Sequence, residues 1–197
     1  MPFIAFLGCD GSGKSTVISA VTRQLKESGI PVHTGHWRPK PFAGGNPSAP
    51  SSAEDPHGQS PRGTLGSLIK LGWLWTNWWT AWLLHLGRES RHGMLVFDRY
   101  HGDLLVDPRR YRYGGPMWLA RMASRCMPQP DHVFFLDAPP EVLLSRKREV
   151  DEAALIKSRN AYLEFCQGSN GFHIIDARPS VETVTRQVMD CLGRKFP

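Results

Sequence analysis

A glycine-rich segment, residues 8–15, reads GCDGSGKS and fits the pattern G-x-x-x-x-G-K-[ST] in full. It follows an apolar run, FIAFL, and precedes a helical pattern, which is the context that this motif requires. Glycines let the backbone curl so that successive N–H groups point at phosphate oxygens, and a helix N-terminus adds partial positive charge. The segment therefore predicts a site for a nucleoside triphosphate.

The side chains of this segment have separate expected roles. Lys14 is expected to reach the β- and γ-phosphates, and the Ser15 hydroxyl to bind Mg²⁺. A carboxylate is awkward beside a triphosphate, so Asp10 is expected to turn toward the second substrate or a metal-bound water. The alternative for Asp10 is a carboxylate that bonds its own loop. The predicted nucleotide-binding residues here are Gly8, Asp10, Gly11, Ser12, Gly13, Lys14, Ser15 and Thr16.

A second segment, residues 98–115, reads DRYHGDLLVDPRRYRYGG and holds three aspartates, four arginines and three tyrosines in eighteen positions. It follows the apolar run MLVF, so its first residues are expected at the carboxyl end of a strand, where ligands of open α/β sheets gather. Asp98 would there offer a carboxylate to a metal ion or to metal-bound water. The arginines suit a ligand that carries a phosphate or an acidic sugar. A ligand that accepts a phosphoryl group on a hydroxyl would gain more from a carboxylate base.

The other aspartates of this segment leave two interpretations open. Asp103 and Asp107 could act as a base, or they could pair with the neighbouring arginines. They would share a helix face if residues 103–112 were helical, but Pro108 makes such a helix unfavourable. The predicted acceptor-binding residues of the chain are Arg38, Arg99, Tyr100, Asp103, Asp107, Arg109, Arg110 and Arg112.

Short apolar runs alternate with longer helical patterns along the chain, which predicts a parallel sheet covered by helices on both faces. Strands are expected at 3–7, 32–36, 94–97, 132–136 and 172–175. Helices are expected near 14–28, 65–88, 115–126, 139–148, 153–167 and 180–193. Residues 39–64 hold six prolines with many glycines and serines, which predicts a long flexible loop. That loop is either an inert insertion or a flap beside the substrate.

The helical pattern over residues 71–87 has no charged side chain and contains five tryptophans. Apolar residues recur at three- and four-residue steps, so one face is strongly apolar. A transmembrane span is marginal on length, and Asn77, Thr80 and His85 weaken it further. A buried core helix is the plain interpretation. The alternatives are a homodimer contact through helix 65–88 or a peripheral membrane contact, because tryptophan is enriched at both kinds of surface.

The composition limits the partners and the compartment. Lys and Arg exceed Asp and Glu by 24 to 18, which favours an anionic partner. The four cysteines are scattered, without a C-x-x-C pair or zinc spacing, which predicts reduced thiols in the cytoplasm. The first residues have no basic stretch and no apolar run long enough for a signal peptide, so no signal peptide is expected. Basic residues with interleaved aromatics are confined to RRYRYGG, so no nucleic-acid partner is expected.

Five segments occur in the order and spacing of the thymidylate kinase family. They are GCDGSGKST at 8–16, VFDRY at 96–100, LDAPPEVLLSRKR at 136–148, RNAYLEF at 159–165 and IIDARPSVETV at 174–184. The chain thus resembles that family of P-loop nucleoside monophosphate kinases over most of its length, and least across 37–64 and past Tyr100. The resemblance implies a three-layer α/β/α sandwich with a five-stranded parallel sheet. It also implies one kinase domain over residues 1–197, a short lid near 145–153, and ATP and Mg²⁺ as cofactors.

The same resemblance assigns roles beyond the phosphate loop. It puts Asp98 and Arg99 between donor and acceptor, and it makes Arg146 and Arg148 lid arginines over the transferring phosphoryl group. The 177–179 stretch, with Arg178, would pack on adenine. The expected catalytic residues are then Lys14, Asp98, Arg99, Arg146, Arg148 and Asp10, with Ser15 and Asp98 at the metal. In that family the helix before the third strand forms a dimer contact.

The departures from the family pattern fall on the acceptor side. The family usually has Arg-Glu-Pro-Gly-Gly after its second strand, where this chain has HWRPKPFAGG, and usually has serines and a Tyr-Gln pair after Asp-Arg-Tyr, where this chain has HGDLL. The predicted activity is Mg²⁺-assisted phosphoryl transfer from ATP to a nucleoside monophosphate such as dTMP. The alternative acceptor is a hydroxyl of a sugar, a glycan end or a nucleoside. A nucleotide-binding ATPase without kinase activity is the third hypothesis.

Overall fold

The computed structural model describes residues 2–37, 39, 60–146, 152–167 and 171–193. Its strands are β1 Phe3–Leu7, β2 Val32–His36, β3 Met94–Asp98, β4 His132–Asp137 and β5 Phe172–Asp176. Its helices are α1 Lys14–Glu27, α2 Thr64–Ala81, α3 Gly87–His92, α4 Asp103–Val106, α5 Met117–Arg125, α6 Pro140–Arg146, α7 Glu152–Cys166 and α8 Val181–Gly193, with a π-helical turn at Trp82–Leu86. Most of the predicted loop 39–64, part of the predicted lid, and both Arg38 and Arg148 lie outside the described residues.

The strands form one parallel sheet in the order β2-β3-β1-β4-β5, flanked by helices, which confirms the predicted α/β fold. All five residues of β1 are buried, because this strand lies between β3 and β4 and both of its faces are covered. The strands β3, β4 and β5 each run one residue past the predicted apolar run and end on an aspartate. Backbone pairing continues to that residue, for example between Asp137 and Asp176.

The tryptophan-rich segment is buried on one side only. Trp78 is fully buried, with its ring centroid 6.0 Å from that of Phe3 and 5.4 Å from that of Phe97. Trp73, by contrast, is 45% exposed. The predicted single helix is wrong in detail, because the α-helical pattern gives way to a π-helical turn before α3. Within the described ranges, no helix is long and apolar enough to cross a membrane.

His101 fixes the chain that leaves β3. Its Nδ1 lies 2.9 Å from the Ser124 hydroxyl and its Nε2 lies 2.9 Å from the Pro128 carbonyl oxygen, and Trp78 packs edge-on against the ring. Burial lowers the pKa of His101 to about 4, so the imidazole is neutral at physiological pH. The segment after β3 is therefore tied to α5 and to the core, which gives the charged residues around it a fixed frame.

Candidate active site

The carboxyl ends of β1 and β3 bring the two charged segments together. The strands are neighbours, with Phe6 paired to Asp98, and the Arg99 N–H donates to the Phe6 carbonyl at 2.9 Å. The phosphate loop, residues 8–15, follows β1, and the charged segment 98–115 continues from the end of β3. Both segments therefore begin at one edge of the sheet, as the rule for open parallel sheets predicts.

The phosphate loop leaves the start of α1 open to an anion. No side chain of the described residues caps this helix, and its first turn holds no acidic residue. Gly13, at the N-cap, has φ 81°, a left-handed conformation that favours glycine. A Cβ on Gly8 would lie 2.7 Å from the Ser12 hydroxyl and 3.0 Å from the Leu136 carbonyl oxygen, so this position also requires glycine. The Ser12 hydroxyl is buried with no hydrogen-bond partner in the described part of the chain. These features fit a phosphate cradle.

Lys14 folds back onto the loop that carries it. Its Nζ donates to the carbonyl oxygens of Gly8 at 2.9 Å and Cys9 at 3.2 Å. Burial and the neighbouring Arg99 guanidinium lower the pKa of Lys14 to about 8. A phosphate would compete with these carbonyls for the ammonium and would stabilise its charged form. Lys14 is thus positioned to accept an anion at the mouth of the loop.

The predicted metal ligands have the chemistry that Mg²⁺ requires. Asp98 Oδ1 is buried and has no hydrogen-bond partner among the described residues. Ser15 and Thr16 are exposed on the first turn of α1. The described residues contain no group of three His, Cys, Asp or Glu side chains that could hold a metal ion. Because Mg²⁺ keeps several waters and shares substrate phosphates, one carboxylate and one hydroxyl suit it.

Asp10 accepts hydrogen bonds from two arginines of the charged segment 98–115. Its Oδ1 accepts from Arg99 Nη2 at 3.3 Å and from Arg110 Nη1 at 3.4 Å. The carboxylate therefore turns toward the arginines that follow β3. Asp10 is 29% exposed and Arg110 23%, whereas Arg99 is 5% exposed and lies behind them. Two guanidinium groups thus meet beside the phosphate loop, which is an arrangement suited to an anion.

Asp103 is the centre of a buried polar cluster. It is 0% exposed and accepts hydrogen bonds from Arg99 Nη1 at 2.8 Å, from the Tyr162 hydroxyl at 2.5 Å and from the Tyr111 hydroxyl. Burial by itself would raise the pKa of this carboxyl, but Arg99 and the two hydroxyls together hold that pKa below its ordinary value. The contacts of Asp103 are those of the pairing interpretation and leave it without access to a substrate hydroxyl.

The other acceptor-side predictions have varied surroundings. The helix α4 ends before Asp107, whose Oδ1 accepts the Arg110 backbone N–H at 3.1 Å, so the two aspartates do not share a helix face. Arg112 donates from Nε to the Ser60 carbonyl at 3.2 Å, and Arg109 is exposed. Tyr100 is 2% exposed and packs edge-on against His101, which makes it a core residue in this structure.

Arg146 and Arg178, the described arginines predicted to bind the nucleotide, form hydrogen bonds with other residues of the protein. Both terminal nitrogens of Arg146 donate to the Ala177 carbonyl at 3.2 Å, which ties the end of α6 to the loop after β5. Arg178 is exposed and forms a bidentate salt bridge with Asp176. Arg159 forms a similar bidentate salt bridge with Asp137, in which Nε and Nη2 donate to the carboxylate oxygens at 2.6 and 2.7 Å. The described contacts of Arg146 and Arg178 are thus with the protein, near the stretch predicted to pack on adenine.

Three aromatic residues of the site were missed by sequence reasoning. The Trp37 ring lies 4.6 Å from the Tyr111 ring, centroid to centroid, directly after β2 and so at the same edge of the sheet. Because Trp37 directly follows a predicted strand, its place at this edge of the sheet could have been predicted. Tyr111 lies within the charged segment 98–115, where composition alone does not indicate its contact with Asp103. Tyr162 reaches the site from α7, and no local pattern indicates that contact.

The sequence of this chain is similar to those of known proteins. A family model described as thymidylate kinase matches residues 79–188, more than half of the chain. A probable thymidylate kinase of Methanothermobacter thermautotrophicus is 27% identical, with 98% of this chain and 95% of that protein covered. A probable thymidylate kinase of Pyrobaculum aerophilum is 28% identical, with 98% and 97% covered. Probable thymidylate kinase 1 of Saccharolobus solfataricus is 25% identical, with the same coverage.

The family match begins beyond the phosphate loop, but the aligned relatives extend over nearly all of the chain. The loop has the form that a triphosphate donor requires, and the sheet carries it beside the arginines that follow β3. Sequence and structure thus agree on an ATP-dependent kinase of nucleotides, and this chain belongs to the thymidylate kinase family.

Proposed function

We propose that the protein transfers the γ-phosphoryl group of ATP to the phosphate of a nucleoside monophosphate, with dTMP as the first candidate. The observation that carries this proposal is the meeting of Arg99 and Arg110 at Asp10, beside the phosphate loop. A phosphate acceptor is already an anionic nucleophile, so it needs cations rather than a base. Asp103, a candidate base for a hydroxyl acceptor, is instead buried and paired.

The residues of the chain divide the work between donor and acceptor. The loop amides and Lys14 bind and orient the donor phosphates. Asp98 and Ser15 would hold Mg²⁺, which supplies charge neutralisation to the donor phosphates when bound. Arg110 and Arg99 would orient the acceptor phosphate and neutralise its charge, so that an acceptor oxygen can displace ADP in line. Catalysis on this proposal is positioning and electrostatics, without a covalent intermediate on the protein.

Replacing Arg110 with alanine is expected to raise KM for the nucleoside monophosphate by about 10–100-fold, the cost of a lost charge-assisted contact. KM for ATP should change less than about twofold, because Arg110 faces Asp10 rather than Lys14. ADP release in a coupled assay, with panels of nucleoside monophosphates, of sugars and of nucleosides, measures both constants. Arg121→Ala, an exposed arginine on α5, is the matched control.

The panel also separates the competing acceptors. Turnover with sugars or nucleosides and with no monophosphate would support the hydroxyl acceptor, with Asp10 as the accessible carboxylate. ATP hydrolysis that no acceptor accelerates would support the non-kinase ATPase. Either result contradicts the proposal.

The proposal includes one kinase domain, a cytoplasmic location and a homodimer. The four cysteines are free thiols, which suits a reducing compartment.

An apolar surface remains exposed along α2 and α5, which pack against each other. Its exposed members include Leu65, Ile69, Trp73, Trp118 and Met122. Ile69, Trp73 and Met122 line one groove between the two helices, and an exposed apolar patch of this kind is typical of an interaction site.

The wild-type protein is expected to sediment as a dimer at micromolar concentration, and Trp73→Glu as a monomer, because a carboxylate would be buried in the contact. Analytical ultracentrifugation without detergent measures both. A wild-type protein that is monomeric at every concentration contradicts the dimer. Cosedimentation of that monomer with anionic vesicles would favour the alternative of a peripheral membrane contact.

A further inference from the structure

Arg99 has an unusual backbone at the junction of the two substrate sides. Its φ is 64°, in the left-handed region that residues other than glycine rarely adopt. Such a conformation costs free energy and persists only where the surrounding contacts determine it. The hydrogen bonds of its backbone N–H and of its guanidinium therefore indicate what holds it in place.

The guanidinium of Arg99 has two differently bonded ends. Nη2 donates to the Gly8 carbonyl at 3.1 Å and to Asp10 at 3.3 Å, both in the phosphate loop. Nη1 donates to Asp103 at 2.8 Å and to the Tyr162 hydroxyl at 2.6 Å, both buried. One end thus faces the predicted anion site, and the other end is held from behind.

The residues behind Arg99 bond to one another as well. The Tyr162 hydroxyl accepts from Arg99 and donates to Asp103, so a closed triangle of hydrogen bonds fixes all three side chains. Asp103 lies on α4, next to β3 in sequence, whereas Tyr162 lies on α7. A planar guanidinium has little freedom to rotate when a carboxylate and a hydroxyl hold its Nη1 and the phosphate loop holds its Nη2.

We propose that Asp103 and Tyr162 are positioning residues that fix the orientation of Arg99 toward the acceptor phosphate, with Tyr162 supplying this support from α7. This inference rests on the proposed function, since it assigns Arg99 to the acceptor anion. It extends that function to two residues that act through Arg99 without contacting a substrate. A site whose binding groups are held by packed, hydrogen-bonded neighbours is already organised before the acceptor arrives.

Tyr162→Phe tests the proposal because it removes one hydroxyl and keeps the buried ring. KM for the nucleoside monophosphate is expected to rise about tenfold, the factor for one lost hydrogen bond to a charged group. KM for ATP should change less than about twofold, because the phosphate loop keeps its own contacts. Tyr111→Phe is the second variant. Its hydroxyl donates to Asp103, so a smaller rise in the acceptor KM is expected.

Tyr113→Phe is the matched control. Tyr113 is buried and lies in the same segment, but its hydroxyl donates to the Pro116 carbonyl at 3.0 Å. A purely structural role for Tyr162 predicts similar losses of thermal stability in the two variants and no selective change in the acceptor KM. That pattern in folded proteins contradicts the proposal.

A spectroscopic measurement keeps this inference separate from the proposed function. In ¹⁵N guanidinium NMR, Arg99 of the wild type should show two distinct Nη resonances, because both ends are bonded and rotation is slow. The signals can be assigned by their loss in Arg99→Lys. Exchange between them should become faster in Tyr162→Phe and stay slow in Tyr113→Phe. Unchanged exchange in Tyr162→Phe overturns the positioning role, whereas failure of every monophosphate acceptor overturns the proposed function alone.

Discussion

Lys14→Ala is expected to lower kcat by about 10³-fold, the upper range for removing one preorganised electrostatic contact to a transition state. The Lys14 ammonium is the buried cation of the phosphate loop and has no covalent role. Alanine leaves the developing charge on the transferred phosphoryl group without this cation. The loss should therefore appear in kcat as well as in the binding of ATP.

Initial rates of ADP release at saturating substrates measure this loss. Lys26→Ala is the control, because Lys26 lies exposed at the far end of the same helix. The folded fraction of each variant is checked by thermal melting. A Lys14→Ala enzyme with wild-type activity would contradict the assignment of the phosphate loop and, with it, the kinase function.

Asp103→Ala is expected to lower the free energy of unfolding by about 3–5 kcal/mol, the range for removing one partner of a buried ion pair. The carboxylate is fully buried, and its loss leaves the Arg99 guanidinium as a buried charge with fewer partners. The hydroxyls of Tyr111 and Tyr162 also lose their acceptor.

Urea unfolding at pH 7 measures the effect. Asp103→Asn, which keeps the shape but not the charge, should cost less, and the exposed Asp190→Ala should change stability by less than about 0.5 kcal/mol. Because the pKa of Asp103 is held below its ordinary value, its stabilisation is complete above about pH 4 and declines as pH falls further. Asp103→Asn should lack that part of the acid dependence. A loss below 1 kcal/mol in Asp103→Ala would refute the importance given to this cluster.

The sheet and the phosphate loop were predictable because their signals are local. An apolar run marks a buried strand, and the motif of residues 8–15 specifies its own backbone shape. The predicted ends of β3, β4 and β5 were one residue too early. An apolar run indicates which side chains are buried, whereas the backbone hydrogen bonds of the sheet extend one residue further. The break at Trp82–Leu86 was not predictable, because WLLHL is almost uniformly apolar and gives no periodic pattern that would distinguish a π-helical turn from an α-helix.

The roles of the charged residues in segment 98–115 were harder to predict, because several of their contacts are with residues that are distant in sequence. Composition alone allowed Asp103 to be either a base or an ion-pair partner. In the structure Asp103 accepts hydrogen bonds from Arg99, from Tyr111 and from Tyr162, which is distant in sequence, and these contacts favour the pairing interpretation. Asp103 also lies where the chain departs from the usual pattern of its family. The cluster suggests that this departure supports Arg99 from behind, rather than adding a new surface for the substrate.

If the protein is a nucleoside monophosphate kinase, the bond that it forms joins two phosphates. ³¹P NMR of the products formed from ATP and dTMP with Mg²⁺ tests it directly, because a phosphoanhydride and a phosphomonoester give different spectra. The proposed function predicts a new pair of coupled doublets from dTDP, rising together with those of ADP, and absent with Lys14→Ala. Inorganic phosphate alone, or a phosphomonoester on a hydroxyl of the acceptor, would contradict it.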